Sequence, residues 1–274
     1  MPLVVDAAEQ DGEHRWTAAS CPCNLTDDTD QLLVGTSTLV REAYGENELL
    51  AAMENIDPDV AQLFDLEAIR EGFRVGLPNP GLESDRPKSL RNSRSESAEM
   101  VARGALKEIY DVECPTHPQQ GKPNANIPFP GFDGWGLMLE AQGHSLVLIQ
   151  VKASDQRTSP PDVAEELADE CAAIPKELGK LSRAIAIMAT TLKGTEYFGT
   201  LVSMLQRVGR AQLPSMRIAP VIIRGTFPGS LDDLAPVRAR SAELSPAAAI
   251  GLVVTIGVDL LGFGERVMNM ARAS

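Results

Sequence analysis

Two hydrophobic periods alternate along this chain, and the places where one gives way to the other lay out its elements. Leu146-Val147-Leu148-Ile149 is an unbroken apolar run that ends in Gln150-Val151-Lys152. Side chains on a strand repeat every two residues. Gln150 and Lys152 therefore share a face with Leu146 and Leu148, while Val147, Ile149 and Val151 take the other. Both faces are apolar until the polar pair arrives, which is the pattern of a central strand covered on both sides. With Gly131-Phe132-Asp133 a short distance upstream, the run predicts a β-hairpin that carries a carboxylate on its first strand and Gln-x-Lys at the end of its second.

Helical spacing governs most of the remainder. It predicts helices over 46–56, over 59–74 through Val60, Leu63, Phe64, Ile69 and Phe73, and over 93–110 through Met100, Val101, Leu106 and Ile109. Pro160-Pro161-Asp162 opens another helix, with Val163, Leu167, Cys171, Ile174 and Leu178 on one face. A further helical stretch covers 181–212, where Gly194 and Gly199 are candidate interruptions. The β-branched runs 218–223 and 250–258 read as strands. Gly-, Pro- and Asn-rich residues at 76–81 and 84–87 break regular structure, and 111–130 reads as an exposed loop. The order helix, hairpin, helices, strand, strand, helix predicts an α/β core with a mixed sheet flanked by helices. It occupies 89–274 and follows a mainly helical region over 1–88.

Charge sharpens that division. The chain of 274 residues carries a net charge of -13. Residues 1–88 hold 18 acidic and 6 basic side chains, and the remainder holds 20 and 19. An acidic N-terminal region suits partner binding or masking, and the whole lacks the basic footprint of a protein that binds nucleic acid unaided. The local exception is Arg86, Lys88, Arg91, Arg94, Arg103 and Lys107, of which Arg91, Arg94 and Arg103 form a candidate DNA phosphate track. At 43% apolar residues the chain can build a proper core. Its start shows no signal peptide pattern, and the apolar stretch 247–261 is shorter than the roughly 18 to 20 residues of a membrane span. A cytoplasmic location is expected. Cys21-Pro22-Cys23 has no second Cys/His pair at zinc spacing, so reduced thiols are expected. Walker, His-Glu-x-x-His and Gly-x-Ser-x-Gly signatures are missing.

The hairpin carries the candidate chemistry. A lysine and an aspartate at the mouth of a buried strand are costly to desolvate unless compensated, and a divalent cation with a phosphate would compensate both. Hard ions take oxygen ligands and keep several waters. Asp133, the side-chain oxygen of Gln150 and the carbonyl of Val151 can serve, with Lys152 placed to orient or deprotonate a water. Glu99, on the preceding helix and flanked by small residues, can complete the set, and Glu96 is the fallback on the same face.

This order, helix Glu99, Gly131-Phe132-Asp133, then Gln150-Val151-Lys152 and a helix, resembles the PD-(D/E)xK nuclease superfamily in its QxK form. The resemblance covers about residues 93 to 225. It implies a restriction-endonuclease-like core, Mg²⁺ or Mn²⁺ held by Asp133, Gln150 and Glu99, and Lys152 as the catalytic lysine. Gly-Phe replaces the motif's proline before Asp133, and Gln150 replaces the usual acid. The layout, with about 80 residues ahead of the nuclease motif, also resembles the nuclease subunits of the Hachiman anti-phage defence system. That likeness implies DNA as substrate and a helicase partner that delivers it. The alternative is a catalytically decayed relative that serves as a binding or regulatory subunit of a nucleic-acid-processing complex.

Overall fold

The structure, a computed structural model, describes residues 1–57, 64–87, 90–121, 132–141 and 143–273. Among these, six strands form one mixed sheet: β1 (Val4–Asp11), β2 (His14–Ser20), β3 (Gly134–Glu140), β4 (Gly143–Ser154), β5 (Met216–Arg224) and β6 (Ala248–Thr255). Their spatial order is β1-β2-β6-β5-β4-β3. The inner four run parallel, and each edge is the antiparallel arm of a hairpin. The helices are α1 (Gln31–Ala43), α2 (Glu46–Glu54), α3 (Leu66–Val75), α4 (Asn92–Tyr110), α5 (Val163–Ala173), α6 (Leu178–Thr191), α7 (Tyr197–Gly209), α8 (Ala235–Ala239) and α9 (Leu260–Ala273).

Helices cover both faces, as a parallel core requires. Leu146, Leu148, Ile218, Ile222 and Val253 pack under α5, α6, α7 and α8. The intervening residues Val147, Ile149, Val221, Ile223 and Val254 pack under α1, α4 and α9. The period-2 reading of β4 therefore holds, and the expected α/β core with a mixed sheet is present. The stretch 181–212 resolves into α6 and α7, parted near Gly194, whose φ of +90° ordinary residues avoid. Gly199 lies within α7. Of the helix expected over 59–74, α3 is seen, while Val60 and Leu63 fall outside the described residues.

The N-terminal region departs from expectation. Among its described residues it is mainly helical, through α1, α2 and α3, but it also supplies β1 and β2, which extend the sheet, with β2 parallel to β6. The missed signal was Asp11-Gly12. Gly12, at φ +58°, opens the two-residue loop between the hairpin arms, a place where glycine leads the turn. Trp16 is buried over β6, where a Cβ on Gly251 would overlap its indole ring. The break near residue 88 is bridged as well: Glu83, 1% exposed, accepts the backbone N–H groups of Asn92 and Ser93 at 3.0 Å each. It thereby caps the start of α4, where a carboxylate is favoured by the helix dipole.

A buried ion pair braces the C-terminal end of the parallel strands. Arg224 and Asp233, both 0% exposed, lie 3.4 Å apart. Arg224 also donates to the carbonyls of Gln156 and Thr158, and Asp233 accepts from the Ser159 hydroxyl. The loop following β4 is thus tied to β5.

These contacts make a direct prediction. A chain that begins at residue 89 loses the parallel partner of β6 and the helix α1 that covers the sheet. It should show no cooperative thermal transition by circular dichroism, whereas the full chain melts in one step.

Candidate active site

The site follows from a mismatch in strand length. β3 begins at Gly134, opposite Ile149, while β4 continues to Ser154, paired among the described residues with β5. From Gln150 onward one edge of β4 has no neighbouring strand among the described residues, and backbone groups left there need other partners. Asp133, immediately before β3 rather than on it, accepts the Val151 N–H through Oδ2 at 2.7 Å. Arg94 of α4 donates to the Ala153 carbonyl at 2.8 Å. The N–H and C=O of a strand residue leave on the same edge, so the Val151 carbonyl also faces this opening.

A cleft of about 630 Å³ lies along the open edge. Arg94, Ala98 and Glu99 of α4 form one wall, Asp133 and Val151 the middle, and Lys152 with Asp155 and Gln156 the other. α4 packs on one face of the sheet, and Lys152 projects from the opposite face. The cleft therefore straddles the strand edge and gathers Glu99, Asp133, Val151 and Lys152.

Gln150 is not part of the cleft wall. It is 8% exposed, on the Leu148 side of β4 opposite Pro220. Glu96 also points elsewhere, since its carboxylate accepts the Tyr44 hydroxyl at 2.8 and 3.0 Å. Glu96 is thus spent on Tyr44, and Glu99, three positions on, is the one that lines the cleft.

The candidate phosphate track divides likewise. Only Arg94 borders the cleft. Arg91 binds Glu265 at 2.7 Å and the Ser84 carbonyl, tying α4 to α9. Arg103 is 4% exposed and cannot meet a duplex. Its Nη2 donates to the Asp133 carbonyl at 2.9 Å and to Gln119 Oε1 at 3.0 Å, and Nη1 lies against His117 Nδ1. Gln119 Nε2 in turn donates to Glu99 Oε2 at 2.8 Å. The described part of the expected loop is thus only partly exposed: Asp111 and Glu113 face out, while Val112, Thr116 and Gln119 are buried. Sequence carried no sign of this, because a Pro/Gln-rich segment looks the same whether solvated or folded onto a helix.

Charge is held tightly here. Burial, and then the charge of Asp133, raises the pKa of Glu99. Burial likewise raises Asp133, against the opposing bond from the Val151 N–H. Two crowded carboxylates favour a cation between them. Lys152 bonds Glu170 at 2.7 Å and Glu166 at 3.0 Å, one turn apart on α5. Burial pulls its pKa down, but these bonds outweigh burial and raise it. The bonds to Glu166 and Glu170 thus favour its ammonium form. Neither glutamate was anticipated, since their i,i+4 spacing alone reads as a solvated helix face.

Among the described residues no group of three or more His, Cys, Asp or Glu side chains forms a ready cage for a metal. Two carboxylates and a carbonyl nonetheless suit a hard ion that retains its waters, so the donor set fits Mg²⁺ or Mn²⁺. Burial raises the Cys21 and Cys23 thiols, to about 11 and about 12. No helix among the described residues is long and apolar enough to cross a membrane. Comparison with known protein families and with curated proteins finds no match for this chain.

His117 offers a test of the buried network. Burial, and then the Arg103 charge, pushes its pKa down to about 3, so it accepts from Arg103 as a neutral ring. The unfolded chain takes up a proton near pH 6.5 and the folded chain does not. Stability is then lost as pH falls below that value. Between pH 7 and pH 5, wild type should lose about 1–2 kcal/mol more than His117→Gln, measured by urea unfolding.

Proposed function

We propose that this chain is a Mg²⁺- or Mn²⁺-dependent DNA endonuclease with a PD-(D/E)xK-like core. The observation that carries the reading is the open edge of β4, where Glu99, Asp133 and Lys152 converge on one cleft from three separate elements. Asp133, Glu99 and the Val151 carbonyl would hold the ion, with Gln150 outside the cleft. When bound, the ion would neutralise phosphate charge and make a water more acidic. Lys152, as an ammonium steadied by Glu166 and Glu170, supplies positive charge towards the non-bridging phosphate oxygens as negative charge builds on them. Arg94 stands at the mouth as a contact for the flanking backbone.

The acidic N-terminal residues fit a protein that does not bind DNA unaided. All of β1 is exposed, including Asp6, Glu9 and Asp11, which sets acidic surface at the sheet edge farthest from β3. Delivery of DNA by a helicase partner, within a bacterial anti-phage defence system in the cytoplasm, accords with that charge and with the layout of the chain. A second reading, a decayed regulatory or binding subunit, is favoured by two observations: Gln150 lies outside the cleft, and Lys152 is already paired with two carboxylates.

Plasmid nicking with Mg²⁺, alone and with the partner, separates the two. Lys152→Ala and Asp133→Asn should each lower the rate by about 100-fold or more. Equal cleavage by wild type and Lys152→Ala would overturn the mechanism. A chain whose melting temperature and activity ignore both Mg²⁺ and Mn²⁺ is the decayed form.

A further inference from the structure

Asp155 in the cleft wall is engaged through both oxygens, by the Leu260 N–H and by Arg94, whereas Asp133 and Glu99 each have one oxygen occupied. Asp133 Oδ2 is held by the Val151 N–H, and Glu99 Oε2 by the Gln119 amide. Among the described residues, neither Asp133 Oδ1 nor Glu99 Oε1 has a protein donor. The two free oxygens belong to residues on different elements, α4 and the start of β3, and a single group connects them. Arg103 Nη2 bonds both the Asp133 backbone carbonyl and Gln119 Oε1.

The chemistry of that chain runs in one direction. A guanidinium only donates, so it fixes the Gln119 carbonyl oxygen towards itself. The amide nitrogen of Gln119 must then face away, and the group it meets must be an acceptor, which Glu99 is. Among the described residues Arg103 makes no direct ion pair. Its bonds go to neutral groups, while its charge acts through space on Glu99 and Asp133. A buried cation with neutral partners is costly, and a staple for the loop alone would not require one.

We propose that Gln119 and Arg103 are positioning residues, holding Glu99 and Asp133 so that their two free oxygens can share one divalent cation. The inference rests on the metal-dependent reading above, and it assigns no contact between either residue and substrate. Groups that orient metal ligands typically alter affinity by about 10- to 100-fold when lost.

The test is Mn²⁺ binding by calorimetry on the full chain, with plasmid nicking run in parallel. Gln119→Met keeps length and burial but removes both the acceptor and the donor. Its Mn²⁺ affinity should fall about 10- to 100-fold, while the melting temperature without metal stays within about 4 °C of wild type. If this variant fails to fold, Arg103→Lys, which keeps the charge but not the fork, should show the same loss. An unchanged affinity in the folded variant overturns the positioning role and leaves the nuclease reading standing. Binding lost in the variant, with wild type that binds Mn²⁺ but never cuts DNA, overturns the nuclease reading and leaves the positioning role. Wild type that binds no Mn²⁺ overturns both.

Discussion

The outer edge of β4 beyond Ile149 is the constraint on which this structure turns. A strand in the middle of a sheet must have both edges paired, and among the described residues the pairing with β3 stops where β4 still has five residues to run. Backbone groups at that edge cannot stay unsatisfied near the core. Asp133 and Arg94 answer the requirement, and in doing so they bring a carboxylate and a guanidinium to a cleft that the missing strand leaves open. The chemistry is placed where the hydrogen-bond ladder fails.

The buried charges around that edge are mutually dependent. Glu99 and Asp133 crowd each other, Arg103 sits behind them as a cation with no direct carboxylate partner among the described residues, and Lys152 is held from the other face by Glu166 and Glu170. Each group alone would be expensive in a site this enclosed. Together they form an alternating set in which one more positive charge at the cleft is favourable. The Arg224–Asp233 pair secures the neighbouring loop, since Arg224 also holds the Gln156 and Thr158 carbonyls.

Long periodic elements were the legible part. The apolar run ending at Lys152, the helix over 93–110 and the two β-branched strands are present because periodicity reflects which faces meet the core. The β1–β2 hairpin was not recognised, since Ala18, Ala19 and the polar residues of β1 carry weak strand preference and only Asp11-Gly12 marked the turn. The role assigned to Arg103 failed for another reason. An arginine in a basic cluster looks like a surface contact until the fold shows which face of α4 carries it.

The two-faced burial of β4, the α/β class, and the candidacy of Glu99, Asp133 and Lys152 were all readable from residue order, because they depend on local spacing and residue chemistry. That Gln150 stands apart from the cleft, that Glu99 rather than Glu96 enters it, and that Gln119, Glu166 and Glu170 belong to its surroundings emerged with the folded chain. Those outcomes depend on how far β3 runs beside β4 and on which helix faces meet. Both are set by long-range packing, which no window of the chain contains.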